Sequence, residues 1–154
     1  MKLKFILTMV LSLACLLLIY YRPFRVIVVR GNSMYPTLHN GQILIGYKTK
    51  DIKRNDVVVC NIEGEDAIIK RVKYIGGDSY AYLLDFKSIN SILLEGYDTK
   101  ELIEFKKVYG SLLTITRVPK DHYYVLGDNT FHSDDSRRFG TLTFDEIGYK
   151  ILGY

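Results

Sequence analysis

The 154-residue chain has no tryptophan, three prolines, three histidines and only two cysteines. Two cysteines allow at most one bridge, and these two are badly placed for it. Cys15 sits inside a long apolar run and Cys60 ends the strand-like stretch DVVVC. A bond between them would join a membrane-type segment to a folded strand, so both are read as free thiols and a disulfide framework is excluded. Neither a Cys-x-x-Cys pair nor a zinc-ligand spacing occurs. The chain also lacks a block of one charge. Lys and Arg total 21 against 17 Asp and Glu, a net +4; setting aside Lys2 and Lys4, 19 − 17 leaves +2, spread along the chain. So small and diffuse an excess speaks against nucleic acid as a partner. There is no internal repeat and no low-complexity tract, and the length suits one domain with its own core.

What the chain does have, at its start, is a hydrophobic run. Phe5 to Tyr21, FILTMVLSLACLLLIYY, is 17 residues without a charge, at the short end of the roughly 17–25 that span a bilayer. Lys2 and Lys4 precede it, and Tyr20, Tyr21, Arg22 and Arg25 follow, as at a membrane interface. A cleaved signal peptide would end in small residues, whereas this run ends in the bulky, basic LIYYRPF. Lipid attachment at Cys15, after Ala14, fits poorly because the apolar run continues for six residues beyond it. The expectation is an uncleaved signal anchor: a short cytoplasmic N-terminus at 1–4, a membrane span at 5–21, and a β-rich extracytoplasmic domain at 22–154. Charge alone does not orient it, since basic residues flank both ends.

From Val26 onward the pattern is that of strands. Val26–Val29, Gln42–Tyr47, Asp56–Ile62, Ala67–Ile75, Tyr80–Leu84 and Tyr123–Gly127 are β-branched or aromatic runs bounded by Gly, Asn and Asp, and Gly148–Tyr154 reads as a final strand. Asp98–Gly110 is the best short-helix candidate. The fold class is therefore mostly β, with packed antiparallel sheets or a distorted barrel after one membrane helix.

Three polar stretches carry potential chemistry. In GNSMYPTL, Gly31–Leu38, Ser33 is either turn chemistry or a nucleophile. In AIIKRV, alternation puts Ile68, Lys70 and Val72 on one strand face. Lys70 is then either an edge-strand charge that discourages aggregation or an inward-pointing amine. An inward amine would lose its proton easily and could activate a serine without histidine. GDNTFHSDDSRRFG, Gly127–Gly140, is either a solvated loop or a charged site. Counted from Asp128, Ser133 and Phe139 occupy the positions where a calcium loop needs Gly and Glu, which argues against one. A Ser33–His132–Asp128 or Ser33–His132–Asp135 triad can be drawn, but no local context recommends it.

Taken in order after an anchor, these stretches resemble type I signal peptidases, membrane-anchored Ser/Lys proteases that release exported proteins from their signal peptides. GNSMYPTL resembles the nucleophile box, IIKRVKYIGGD the general-base box, and VLGDNTFHSDDSRRFG the last family box, with GQILIGYKTKDIKRNDVVVC between them. The resemblance runs from the anchor to about Gly140. It implies Ser33 as nucleophile, Lys70 as general base and Ser133 as a residue orienting the lysine. It further implies Asp128, Asp135, Arg137 and Arg71 as supporting charges. Where some members carry a serine whose hydroxyl helps hold the oxyanion, this chain has Gly31, which leaves the Ser33 backbone N–H as donor. The short Ser79–Thr116 segment has no room for the large inserted domain of some relatives. Neither metal nor cofactor is implied. Expected partners are signal peptides, cut after small-x-small sites, and the plasma-membrane lipid surface. A tethered, non-enzymatic β module is the alternative from another class.

Overall fold

The structure is a computed structural model that describes residues 2–21, 24–64, 66–85 and 90–154. Arg22, part of the expected interfacial set, lies outside the described residues, as do the side chains of Tyr20 and Tyr21. Among the described residues a helix α1, Lys2–Tyr21, is followed by ten strands and two further α-helices. Its apolar side chains are exposed on every face, from Leu3, Phe5 and Ile6 to Leu16 and Leu17. Among the described residues no helix is long and apolar enough to cross a membrane.

Seven strands form one antiparallel sheet in the order β1-β2-β10-β3-β4-β8-β9. They are β1 Phe24–Val28, β2 Ile43–Tyr47, β3 Val57–Cys60, β4 Ile68–Ile75, β8 His122–Leu126, β9 Leu142–Thr143 and β10 Ile147–Ile151. A smaller sheet, β6-β5-β7, comprises β5 Ser79–Asp85, β6 Asn90–Leu94 and β7 Leu113–Arg117. The continuous apolar run of β3 suits a strand covered on both sides. Val57 and Val59 enter one core with Val29, Met34 and Leu38, whereas Val58 and Cys60 enter the other with Val72 and Val125. Burying each such side chain contributes roughly 1.5–3 kcal/mol.

β4 pairs with β3 along one edge and, from Arg71 on, with β8 along the other, and the Lys70 side chain is buried, so the aggregation-guard reading falls. The alternation holds: Lys70 is opposite Val58 and is buried at 2% exposure, as is Val72 at 0%. The segment read as one strand and one helix is a sheet with its own core. Its helix α2, Thr99–Tyr109, starts at a capping box of Asp98 and Glu101 and buries Leu102 against Ala81 and Leu113. The two sheets meet through Tyr74, Tyr80, Tyr82 and Tyr124, with the Tyr82 and Tyr124 hydroxyls hydrogen-bonded to each other.

Candidate active site

Ser33 lies in the loop that joins β1 to β2. The loop's neck is closed by Val29 N–H donating to Gln42 O (2.9 Å) and Gly41 N–H donating to Val29 O (2.8 Å). Gly31 adopts φ +79°, a left-handed conformation that glycine reaches without a Cβ penalty, and its N–H donates to Asn40 Oδ1 at 3.0 Å. Met34 and Leu38, 2% and 0% exposed, anchor the loop in the core. Ser33 is thereby held half-buried between exposed Asn32 and buried Met34.

Lys70 Nζ stands 2.8 Å from Ser33 Oγ, a hydrogen bond between residues 37 apart in sequence. Burial pushes the Lys70 amine down from the ordinary lysine range, against the opposing pull of Asp135. Cys60 lies one diagonal away on β3. Burial pushes its thiol up to about 12, so it gives the amine no negative charge near neutral pH. The Ser33 N–H makes no hydrogen bond among the described residues. His132 is exposed and bonded to neither Ser33 nor the aspartates, so the drawn histidine triad is not assembled.

The turn after β8 grips the serine loop. Asn129 N–H donates to Ser33 O at 2.9 Å, and Asn129 Nδ2 donates to Asn32 O at 3.1 Å. Gly127 is buried against both partners: a Cβ there would lie 2.5 Å from Ser33 O and closer still to Ser133 Oγ. Ser133 Oγ is buried and makes no well-formed hydrogen bond among the described residues, to Lys70 included; it stands near enough to the Asp135 carboxyl only to help hold it down. Gly127→Ala should push the serine loop off its register. Misplacement on the order of 1 Å costs about 100-fold in rate, so kcat/KM for a cleavable preprotein should fall by about that factor while circular dichroism stays unchanged.

The supporting charged residues form two pairs. Arg71 Nη2 and Nε donate to Asp128 at 2.7 and 2.9 Å. Burial pushes the Asp128 carboxyl up, but its bonds from Arg71 and Thr37 outweigh that and hold it below the usual carboxylate range. Asp128 thus ties the serine loop, through Thr37, to the strand carrying the lysine. Arg137 makes a two-pronged bond to Asp135, both prongs at 2.8 Å, and Asp135 also accepts from Gly127 N–H at 3.0 Å. Burial raises the Asp135 carboxyl, and these partners more than reverse it. The stability from a depressed carboxyl is complete above its unfolded value of about 3.9 and is lost as pH falls through the folded value. Acid unfolding of the native chain should therefore steepen below about pH 4, and Asp128→Asn should flatten that limb when followed by circular dichroism.

The sequence alone assigns no role to Thr37, Gly127 or Asn129 and marks Cys60 only as a free thiol, which it is. Gly127 and Asn129 stand in the quoted GDN stretch, where a glycine beside polar residues signals close backbone approach. Cys60 gave no such signal.

The family model described as "Signal peptidase, peptidase S26" matches residues 2–151. Signal peptidase I T of Bacillus subtilis (strain 168) is 37% identical over 150 residues, covering 90% of this chain and 77% of that protein. Signal peptidase I of Bacillus caldolyticus is 34% identical over 140 residues, covering 80% and 75%. Signal peptidase IB of Staphylococcus aureus (strain COL) is 30% identical over 168 residues, covering 96% and 88%. A solved signal peptidase I from Enterococcus faecalis aligns at 22% identity and TM-score 0.43 over 67% of this chain and 98% of its own. On the family match and the sequence relatives, the chain belongs to the signal peptidase family, peptidase S26, and is a peptidase of the signal peptidase I type.

Proposed function

We propose that the chain is a membrane-anchored serine endopeptidase that cleaves signal peptides from exported preproteins after small-x-small sites, with Ser33 as nucleophile and Lys70 as general base. The observation that carries this is the 2.8 Å contact between a buried amine and a half-buried hydroxyl. β4 pairs with β3 at Ile68, Ile69 and Lys70, but its ladder to β8 begins only at Arg71. That leaves one backbone edge of Ile68–Lys70 open beside Ser33, where an extended substrate adds as a strand.

Neutral Lys70 takes the Ser33 Oγ proton as Oγ bonds to the scissile carbonyl carbon. The Ser33 N–H stabilises the oxyanion. Collapse breaks the C–N bond, Lys70 returns the proton to the leaving amine, and the acyl chain stays on Ser33 as an ester. Lys70 then deprotonates a water that attacks the ester, and the proton ends on Ser33 Oγ. The unpartnered Ser133 hydroxyl accepts from the lysine while it carries the proton. Arg71–Asp128 and Arg137–Asp135 hold the two loops and the strand in register.

Residues 1–4 are the short cytoplasmic N-terminus, residues 5–21 of α1 are the single-pass anchor, and residues 22–154 form the catalytic domain on the extracytoplasmic face of the plasma membrane. Support comes from the apolar side chains on all faces of α1 and from Thr8 and Ser12, whose hydroxyls bond back to Lys4 O and Met9 O (2.6 and 2.9 Å). Phe24, Val26, Val28, Ile43 and Ile45 add an exposed apolar face immediately after α1, suited to resting on lipid. Confinement to one membrane surface raises the effective concentration of enzyme and substrate.

Incubating the full chain in detergent with a preprotein ending its signal in Ala-x-Ala tests the reading. Product sequencing should show one cut after the second Ala, abolished when that Ala becomes Trp. No cut, or a cut indifferent to the change, would refute it.

A further inference from the structure

Two cations converge on one ring close to the end of α1. Tyr149 of β10 packs across Gly46 of β2, where a Cβ would lie 2.9 Å from the Tyr149 Cβ. Arg25 Cζ stands 5.7 Å and Lys48 Nζ 5.8 Å from the Tyr149 ring centroid. With Lys50, Asn61 and Asp145 these residues line a groove of about 630 Å³. Three cations against one acid give the groove a local 3 − 1 = +2.

Neighbouring basic residues have partners: Lys53 pairs with Asp51 at 3.0 Å and Lys150 with Asp56 at 2.7 Å. Arg25, Lys48 and Lys50 have no carboxylate partner among the described residues, Asp145 included. Gathering unpaired like charges is unfavourable unless an anion joins them. The Tyr149 face offsets only part of this.

The surroundings select the anion. Arg25 also borders an apolar depression formed with Phe24, Val26, Ile45 and Leu152. Arg25 takes the opposite face of β1 from Phe24 and Val26, and β1 is an edge strand, so an occupant that satisfies both wraps that edge with an anionic head and an apolar tail. Arg25 lies four residues after the last residue of α1, so it is within about 14 Å of the helix end. We infer that the groove between β1–β2 and β10 binds the phosphodiester headgroup of an anionic phospholipid, whose acyl chains lie along the apolar strand face. This deepens the anchored reading and rests on it: the lipid would fix how the domain sits on the membrane.

The test uses the full chain in nonionic detergent, titrated with phosphatidylglycerol, phosphatidylcholine or inorganic phosphate, with bound lipid counted by native mass spectrometry. Each basic residue near an anionic surface is worth roughly fivefold in affinity. Arg25→Gln with Lys48→Gln should therefore weaken phosphatidylglycerol binding by about 25-fold, leaving phosphatidylcholine binding, detergent-phase cleavage and the circular dichroism spectrum unchanged. Lys100→Gln on α2 should bind phosphatidylglycerol as the native chain does. Equal binding of the two lipids, a double variant that keeps its preference, or inorganic phosphate displacing phosphatidylglycerol at equal concentration would overturn the inference. Alkaline carbonate extraction from phosphatidylcholine vesicles tests the anchor separately. Release of a chain that still prefers phosphatidylglycerol sinks the anchor and spares the groove, and retention without that preference does the reverse.

Discussion

Ser33→Ala and Lys70→Met should each lower kcat/KM for a preprotein by at least ~10³-fold, because a nucleophile and its base act as one unit. Adding the two changes together should cost little more than either alone. Stability should move the other way. A buried amine held below its ordinary range is favourable to the fold above the unfolded value of about 10.4, and that contribution is lost as pH falls through the lowered folded value. Neutral pH lies well below the unfolded value, so there the buried amine costs the fold stability. Lys70→Met fills similar volume without a charge, so its thermal midpoint at neutral pH should equal or exceed that of the native chain and lose the alkaline rise. Full activity in Lys70→Met would refute the base assignment. A large drop in its midpoint would show that Lys70 is a structural cation.

Asp135→Ala should be the most destabilising single change. The residue is 0% exposed, caps the short helix α3, Ser136–Phe139, and satisfies both Arg137 and the Gly127 N–H. Arg137 is exposed and can be rehydrated, so the loss comes from the orphaned Gly127 N–H and the missing helix cap, together roughly 2–4 kcal/mol. In a domain of this size that lowers Tm by on the order of 10 °C. It should also slow cleavage, since Gly127 packs on Ser33 O. Asp135→Asn with Arg137→Met should cost less than the sum of the single changes in a double-mutant cycle. Additive losses would mean that the two residues act independently.

Much of the large sheet was legible because its strands are long β-branched runs closed by turn residues. β9, two residues long, and β6, NSILL, carry too little pattern to be read as strands. β7, LTITR, alternates but follows directly on a helix, and its partner β5 lies some thirty residues back, a pairing that local periodicity does not reveal. For the site, alternation gave the face of Lys70 but not its burial, which comes from surroundings distant in sequence, Cys60, Asp135 and Arg137 among them. The motif order pointed to Ser33 and Lys70. The division of the charged residues into two pairs, the empty-handed Ser133 hydroxyl and the grip of Asn129 on the Ser33 carbonyl are products of three-dimensional packing that spacing does not encode.

Everything chemical depends on an amine that is uncharged when the substrate arrives. Lysine ε-amine titration by NMR on the isotopically labelled full chain addresses that directly, with the signal missing from Lys70→Met identifying the residue. This one signal should lose its proton well below the ordinary lysine value, at the pH where the acidic limb of kcat/KM rises. Titration of Lys70 at the ordinary value near 10.4 would contradict the base assignment.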